Sequence, residues 1–180
     1  MTVSLTDEEF AAVFGRFRAS AFRLELQRAY LEPSEAATFA RWRSGDPQPP
    51  TEVPGLTDWY DQIRAHTAAG RTVGRVRVHE EPPTDYQRWE RWIGTWNTAA
   101  GESIRYMTRA RAHEVGLLPA AGNRDWWLFD DTWLVVMTFD DDGRRLTSDI
   151  VTDSDTVSQA RAWRDLAVHH STSTPVGADA

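Results

Sequence analysis

Arg75, Arg77 and His79 recur at every second position of one segment, Thr72 to His79 (TVGRVRVH), a spacing that puts all three side chains on one face of a strand. Val76 and Val78 take the other face. A second segment, Ser103 to Arg109, divides in the same way into Ile104, Tyr106 and Thr108 against Arg105, Met107 and Arg109. If the two strands are neighbours, four arginines and a histidine line one face of a sheet. Such a face must be solvated, paired with carboxylates or built to hold an anion. Glu90, Asp125, Asp130 and Asp165 are the candidate partners, and pairing or solvation is the simpler outcome.

His79, Glu80 and Glu81 close the first strand just before Pro82, at a sheet end of the kind that carries function on a rigid scaffold. A histidine beside two carboxylates could act as a general base or metal ligand. No second histidine stands at ligand spacing, so a solvated strand end is the plainer reading. Asn97 to Glu102 (NTAAGE) forms a helix exit in which Gly101 can turn left-handed, with Glu102 and Arg105 straddling the entry to the next strand. Asp125 and Asp130 bracket WWLF, where carboxylates also serve to end strands and keep edges from pairing. Tyr86, Trp89, Trp92, Ile93 and Trp96 recur at helical spacing, first of all as a core stripe and only second as an aromatic ligand cage.

Composition removes whole classes of chemistry. All twenty basic residues are arginine, and there is no cysteine. Lysine Schiff bases, phosphate-loop lysines, thiol nucleophiles and cysteine-bound zinc are therefore excluded. Asp140 to Asp142 form an acidic turn without the oxygen-ligand spacing of a calcium loop, and no metal or cofactor is expected. A formal charge of -7 opposes nucleic acid as the default partner. The longest apolar run, Trp133 to Phe139, is too short to span a bilayer and no signal segment opens the chain, so a cytoplasmic location is expected.

These residues need elements to position them. Thr6 to Glu9 has capping-box form before Phe10, Val13, Phe14 and Phe17, which predicts a first helix. Ser20 to Tyr30 alternates at Phe22, Leu24 and Leu26 like a strand, but its Arg, Leu, Glu and Gln content favours a helix. Further helices are expected over Pro33 to Arg43 and Thr57 to Ala69, separated by a proline-rich loop. The second half reads strand (Thr72 to His79), helix (Pro83 to Trp96), strand (Ser103 to Arg109), strand (Trp126 to Phe129), strand (Thr132 to Asp140), a short strand near Leu146 to Val151, and helix (Ser154 to His169). Gly143 suits the left-handed position of a hairpin turn.

That order implies an α+β fold: a mixed or antiparallel sheet flanked by helices, with an N-terminal helical layer. One domain is expected over residues 1–170, the layer being 1–45 and the sheet-containing part 56–170, followed by a disordered tail over 171–180.

The segments AFRLE, GRVRVHEEPPTDYQRWE, NTAAGESIRYM and DWWLFDD resemble an uncharacterised actinobacterial domain-of-unknown-function family, with the pattern RVRVxxEPxxDYxRxE, NxxAGExIR and DFWLFDD. The resemblance covers roughly residues 10 to 169, with Ser103 and Trp126 departing from the commoner Asp and Phe. Arg77, Glu80, Asp85, Tyr86, Asn97, Gly101, Glu102, Arg105, Asp125 and Asp130 fall on its motif positions. It implies a link to helix-turn-helix regulators, beside which members are often encoded. The element order also resembles one half of a phospholipase D-type fold, whose His-x-Lys signature is absent here.

The ligand- or partner-binding candidates are therefore Arg75, Arg77, His79, Glu80, Tyr86, Asn97, Glu102, Arg105, Asp125 and Asp130, and no catalytic residue is assigned. The expected function is a non-catalytic regulatory or ligand-binding protein, with a DNA-binding regulator or a small anionic ligand as partner. The competing expectation is an enzyme acting on a small anionic metabolite, with Arg77 and Arg105 as clamp and His79, Glu80 or Glu102 as acid/base. Direct nucleic-acid binding through the same arginines is the third.

Overall fold

Thr84 opens the helix that covers the charged strand: its hydroxyl accepts the Gln87 N–H at 3.1 Å, while the Gln87 side chain accepts the Thr84 N–H at 3.1 Å. This reciprocal cap fixes the start of α4 (Asp85–Ala100). Its end is fixed by Gly101, at φ 110, where a Cβ would lie 2.5 Å from the Thr67 hydroxyl. Only glycine fits both the left-handed turn and the close approach. The tight exit brings Glu102 back against the last turn of the helix it follows.

The computed structural model describes residues 2–175. In chain order the elements are β1 (Thr2–Ser4), α1 (Asp7–Val13), β2 (Ser20–Glu25), α2 (Pro33–Arg43), α3 (Pro54–Ala68), β3 (Thr72–His79), α4, β4 (Ser103–Thr108), α5 (Arg109–Glu114), β5 (Asp125–Phe129), β6 (Trp133–Phe139), β7 (Arg145–Val151) and α6 (Ser154–His170). The seven strands form one sheet in the order β1-β7-β6-β5-β2-β3-β4. Pairing is parallel at β2–β3 and β3–β4 and antiparallel elsewhere. The fold is α+β with a mixed sheet flanked by helices, as expected.

Residues 20–30 are a correction. Ser20–Glu25 is a strand, not a helix, and it runs between β3 and β5 in the middle of the sheet. Helix propensity differs by only tenths of a kcal/mol among such residues, whereas a strand inserted between two others satisfies its backbone on both sides. The first 45 residues therefore contribute strands as well as helices. The first residues of the stretch expected as a tail are ordered: Thr172 exchanges backbone hydrogen bonds with Tyr106 at 2.7 and 2.9 Å, and Ser171 is buried. The remainder of that stretch, 176–180, lies outside the described residues.

The two sheet faces differ in chemistry. On one, Leu24, Val76, Val78, Met107, Leu128 and Leu134 pack under α5 and α6 as an apolar core. On the other, Phe14, Phe17, Trp127 and Phe129 form an apolar cluster, and Tyr86, Trp89 and Ile93 of α4 form another. A patch of charge separates those two clusters.

Candidate functional site

β2 and β3 lie parallel with Arg23 beside Arg75 and Glu25 beside Arg77, so the pleat places all four side chains on the face under α3 and α4. Glu25 is the hub. Its carboxylate takes Arg23 at 3.1 Å, Arg75 at 2.8 Å and Arg77 at 2.7 Å, and it is 4% exposed. Burial alone would raise such a carboxyl; the three guanidinium groups more than reverse that and hold it well below the usual carboxylate range.

Glu102 takes Arg75 on one oxygen and the Asn97 amide, at 2.6 Å, on the other. Arg77 donates to the Glu90 backbone carbonyl at 2.8 Å and stands 3.6 Å from its carboxylate. Asp125, fully buried at the start of β5, accepts the Leu26 N–H at 2.9 Å, the Gln27 amide at 3.1 Å, Arg23 at 3.2 Å and the Tyr30 hydroxyl. Burial still pushes its carboxyl upwards. Aromatic faces close the patch: the Arg23 guanidinium lies 5.2 Å from the Tyr30 ring, and that of Arg75 lies 5.6 Å from Trp127.

His79 is buried against α4. Arg91 donates from Nε to His79 Nδ1 at 3.2 Å, so the ring proton belongs on Nε2, which faces Glu90 at 3.6 Å.

A cleft of about 140 Å³ reaches this network from outside, with Arg23, Glu25, Arg77, Glu35 and Glu90 on its walls. Beside it, sharing Tyr30, Glu35 and Tyr86, lies a wider and more apolar cleft of about 520 Å³ under α2. Glu35, in the first turn of α2, accepts the Tyr86 hydroxyl. Burial, aided by the nearby Glu90 and Glu32, pushes the Glu35 carboxyl up to about 7, against the opposing effects of the Tyr86 bond and Arg77. Neither cleft has a histidine, serine or threonine on its walls. Among the described residues, no group of three or more His, Asp or Glu side chains is placed to hold a metal ion.

A profile described as Domain of unknown function (DUF6879) matches residues 8–175. The chain belongs to that family. Its fold is similar to that of NucT from Helicobacter pylori, with a TM-score of 0.52 and 10% identity over 96% of each chain. It is also similar to Nuc from Salmonella typhimurium, a phospholipase D family member, with a TM-score of 0.53 and 9% identity over 95% of this chain and 97% of the other. At that identity the likeness is one of fold. No curated protein matches the chain.

Within this DUF6879 fold, seven of the ten sequence candidates meet in or against the charged patch: Arg75, Arg77, His79, Tyr86, Asn97, Glu102 and Asp125. Three do not. Arg105 is a correction, because the register sets Arg75 beside Ile104 and Arg77 beside Tyr106, which sends Arg105 to the opposite face. There it donates to Ser171 Oγ at 2.9 Å and to the Ser171 carbonyl. The expected four-arginine face therefore does not form; Arg109 too is elsewhere, opening α5 and pairing with Glu80 at 2.9 Å. Glu80 is thus tied up at the strand end.

Asp130, at φ 51, accepts the N–H groups of Arg18, Ala19 and Ser20 at 2.9, 2.7 and 3.0 Å. Burial opposes this, yet the backbone donors hold its carboxyl below the usual range. It anchors the entry to β2. Of the foreseen partners, Asp165 pairs with Arg164 instead of a strand arginine. Residues missed from sequence are Arg23, Glu25, Tyr30 and Glu35. The alternation of Phe22, Leu24 and Leu26 carried the signal, since Arg23 and Glu25 must then share the other face.

Proposed function

We propose that this chain is a non-catalytic cytoplasmic binding domain that presents the cleft beside Glu35 and Glu90 to a ligand and works with a DNA-binding regulator of the helix-turn-helix type. The observation that carries this reading is the internal pairing of Arg75 and Arg77. Each is bound by carboxylates of the same chain, so an anion clamp at these residues would have to break buried charge-assisted contacts to engage its substrate. Arg105, the other half of the clamp in the competing enzyme reading, is on the far face of the sheet. The cleft walls carry no serine or threonine hydroxyl and no imidazole for a nucleophile–base pair.

The fold likeness to NucT and Nuc supports a framework of phospholipase D type and does not transfer their activity. No helix among the described residues is long and apolar enough to cross a membrane. Purified protein should be assayed against generic phosphodiester, phosphomonoester and carboxylic ester substrates, and by thermal shift against a metabolite collection. No turnover together with a ligand-dependent shift is expected. Turnover that disappears in Glu35→Gln, Glu90→Gln or His79→Gln would overturn the reading.

A further inference from the structure

Glu35 lines both clefts and Glu90 the narrower one, and the chain gives these two carboxyl groups few hydrogen-bond donors. Glu90 is 4% exposed, yet its carboxylate accepts no hydrogen bond among the described residues; Arg77 and His79 both stand at 3.6 Å. Glu35 accepts one, from Tyr86, whose ring lies between the two helices that carry these acids. A buried carboxylate ordinarily gathers several donors, as Asp125 does here with four. Both under-bonded acids face the cleft.

Five carboxyl groups, Glu25, Glu35, Glu90, Glu102 and Asp125, surround three guanidinium groups, Arg23, Arg75 and Arg77. On the walls of the narrower cleft itself the charges are even, Glu25, Glu32, Glu35 and Glu90 against Arg23, Arg75, Arg77 and Arg145, so what the cleft lacks is N–H donors for Glu35 and Glu90 rather than positive charge. Carboxylates short of donors on the wall of a cleft favour a ligand that brings N–H groups of its own.

Its walls suit one of a particular kind. Tyr30 and Tyr86 stand edge to face with centroids 5.8 Å apart, Phe39 meets Tyr86 at 5.4 Å, and Ala36 and Pro33 line the space beyond. Leu31, one of four large hydrophobic side chains exposed among the described residues, sits at the rim of both clefts. The β6–β7 hairpin locks this rim: Leu31 N–H bonds the Gly143 carbonyl at 2.9 Å, and a Cβ on Gly143 would lie 2.3 Å from the Ala29 carbonyl oxygen. The walls are thus preformed, which lowers the cost of binding.

We infer that the cleft binds a small organic cation, a primary ammonium or amidinium-type head seated between Glu35 and Glu90 against Tyr30 and Tyr86, with a short apolar or aromatic body lying under α2. The inference deepens the binding-domain reading and rests on it. A head of this type supplies the N–H donors that the two carboxylates lack. Charged and titratable groups around Glu35 are Glu32 on its own segment, Tyr86 and Glu90 of α4, Arg77 of β3, Tyr30 of the β2–α2 loop, Tyr60 of α3 and Arg144 of the hairpin. A cation on Glu35 requires the ionised carboxylate, so affinity should rise with pH and level off above about 7.

Benzamidine, benzamide and benzoate form a near-isosteric cation, neutral and anion series, and titration of the purified full chain with each by protein-observed NMR tests the inference. Benzamidine is expected to bind at least about tenfold more tightly than benzamide, with benzoate absent, a factor of ten being roughly 1.4 kcal/mol. Glu35→Gln keeps the acceptor for Tyr86 and should weaken benzamidine about tenfold, as should Glu90→Gln. Ala36→Trp fills the apolar part from an exposed helix position and should abolish binding while leaving the melting temperature unchanged. Equal affinity for benzamide, no effect of Glu35→Gln in a folded variant, or no binding of benzamidine would overturn it. A neutral or anionic ligand found in this cleft by the metabolite screen would sink the cation alone, whereas turnover would sink the non-catalytic reading and leave the cation preference as a substrate class.

Discussion

Arg77 reaches Glu25 across the β2–β3 boundary, Nε to Oε2 at 2.7 Å, and the same carboxylate also takes Arg75 and Arg23. One acid therefore joins three cations that the sheet brings together under α3 and α4. The arrangement explains why so much charge can stay buried: each guanidinium has an acceptor at the distance where its desolvation is offset.

Glu25→Gln should remove that offset while preserving shape. Three buried cations would then share the carboxylates that remain, and a loss of about 3 to 5 kcal/mol is expected in chemical denaturation. Asp61→Asn, which breaks an exposed pair with Arg64, is the control and should cost less than about 1 kcal/mol. Equal behaviour of the two variants would show that the network adds nothing to stability.

Trp89, fully buried in the aromatic cluster of α4, packs 5.5 Å from Phe39 and 5.2 Å from Tyr86 between ring centroids. Trp89→Ala should cost about 3 to 5 kcal/mol through lost transfer energy and the cavity left behind. An unchanged denaturation midpoint would refute the packing of α2 on α4.

Much of this was legible in the chain because the signals are local. The alternation of TVGRVRVH gave β3 to the residue, and the proline and glycine that bracket Pro33–Arg43 gave α2. The left-handed Gly101 likewise acts locally, whereas the capping box at Thr84 went unread, and the helix expected over Pro83 to Trp96 runs instead from Asp85 to Ala100. The strand character of Ser20–Glu25 was not legible, since it depends on two partners far along the chain. The relative phase of β3 and β4 was hidden for the same reason. Each strand divides its own residues correctly between faces, yet only the register set by the intervening helix decides that Arg75 aligns with Ile104 and not with Arg105. Glu35 had no signal at all: a lone acid in a first helical turn reads as a dipole partner, and its burial comes from Tyr86 and neighbouring layers.

Glu35 also gives the molecule a pH dependence of definite sign. Its carboxyl is raised in the folded state to about 7 from a reference of 4.5, so the protonated form is favoured by folding. The associated stability is fully present below about 4.5 and is lost as pH rises through about 7. The melting temperature of the wild type should therefore fall between those limits more steeply than that of Glu35→Gln. Asp125, raised in the same direction, contributes to both proteins, so the difference between the two curves isolates Glu35. Glu25 acts oppositely and only at lower pH, where protonation removes its pairing. Parallel curves for wild type and Glu35→Gln would contradict the raised carboxyl.

Asp130 offers a test of backbone and side chain together. It stands at φ 51, a left-handed conformation that Asp and Asn tolerate better than most residues, and its carboxylate gathers three consecutive N–H groups at the entry to β2. Asp130→Asn keeps the backbone preference and one acceptor, so it should be the mildest change. Asp130→Gly relaxes the backbone but leaves the three donors without their acceptor. Asp130→Ala loses the acceptor and adds the left-handed penalty, roughly 1 to 2 kcal/mol beyond Gly. The expected order of denaturation midpoints is wild type, Asn, Gly, Ala. Because folding lowers the Asp130 carboxyl, its contribution is present above the reference value of 3.8 and is lost as pH falls below it. The gap between wild type and the Ala variant should accordingly narrow in acid, and a gap that stays constant would assign the loss to backbone strain alone.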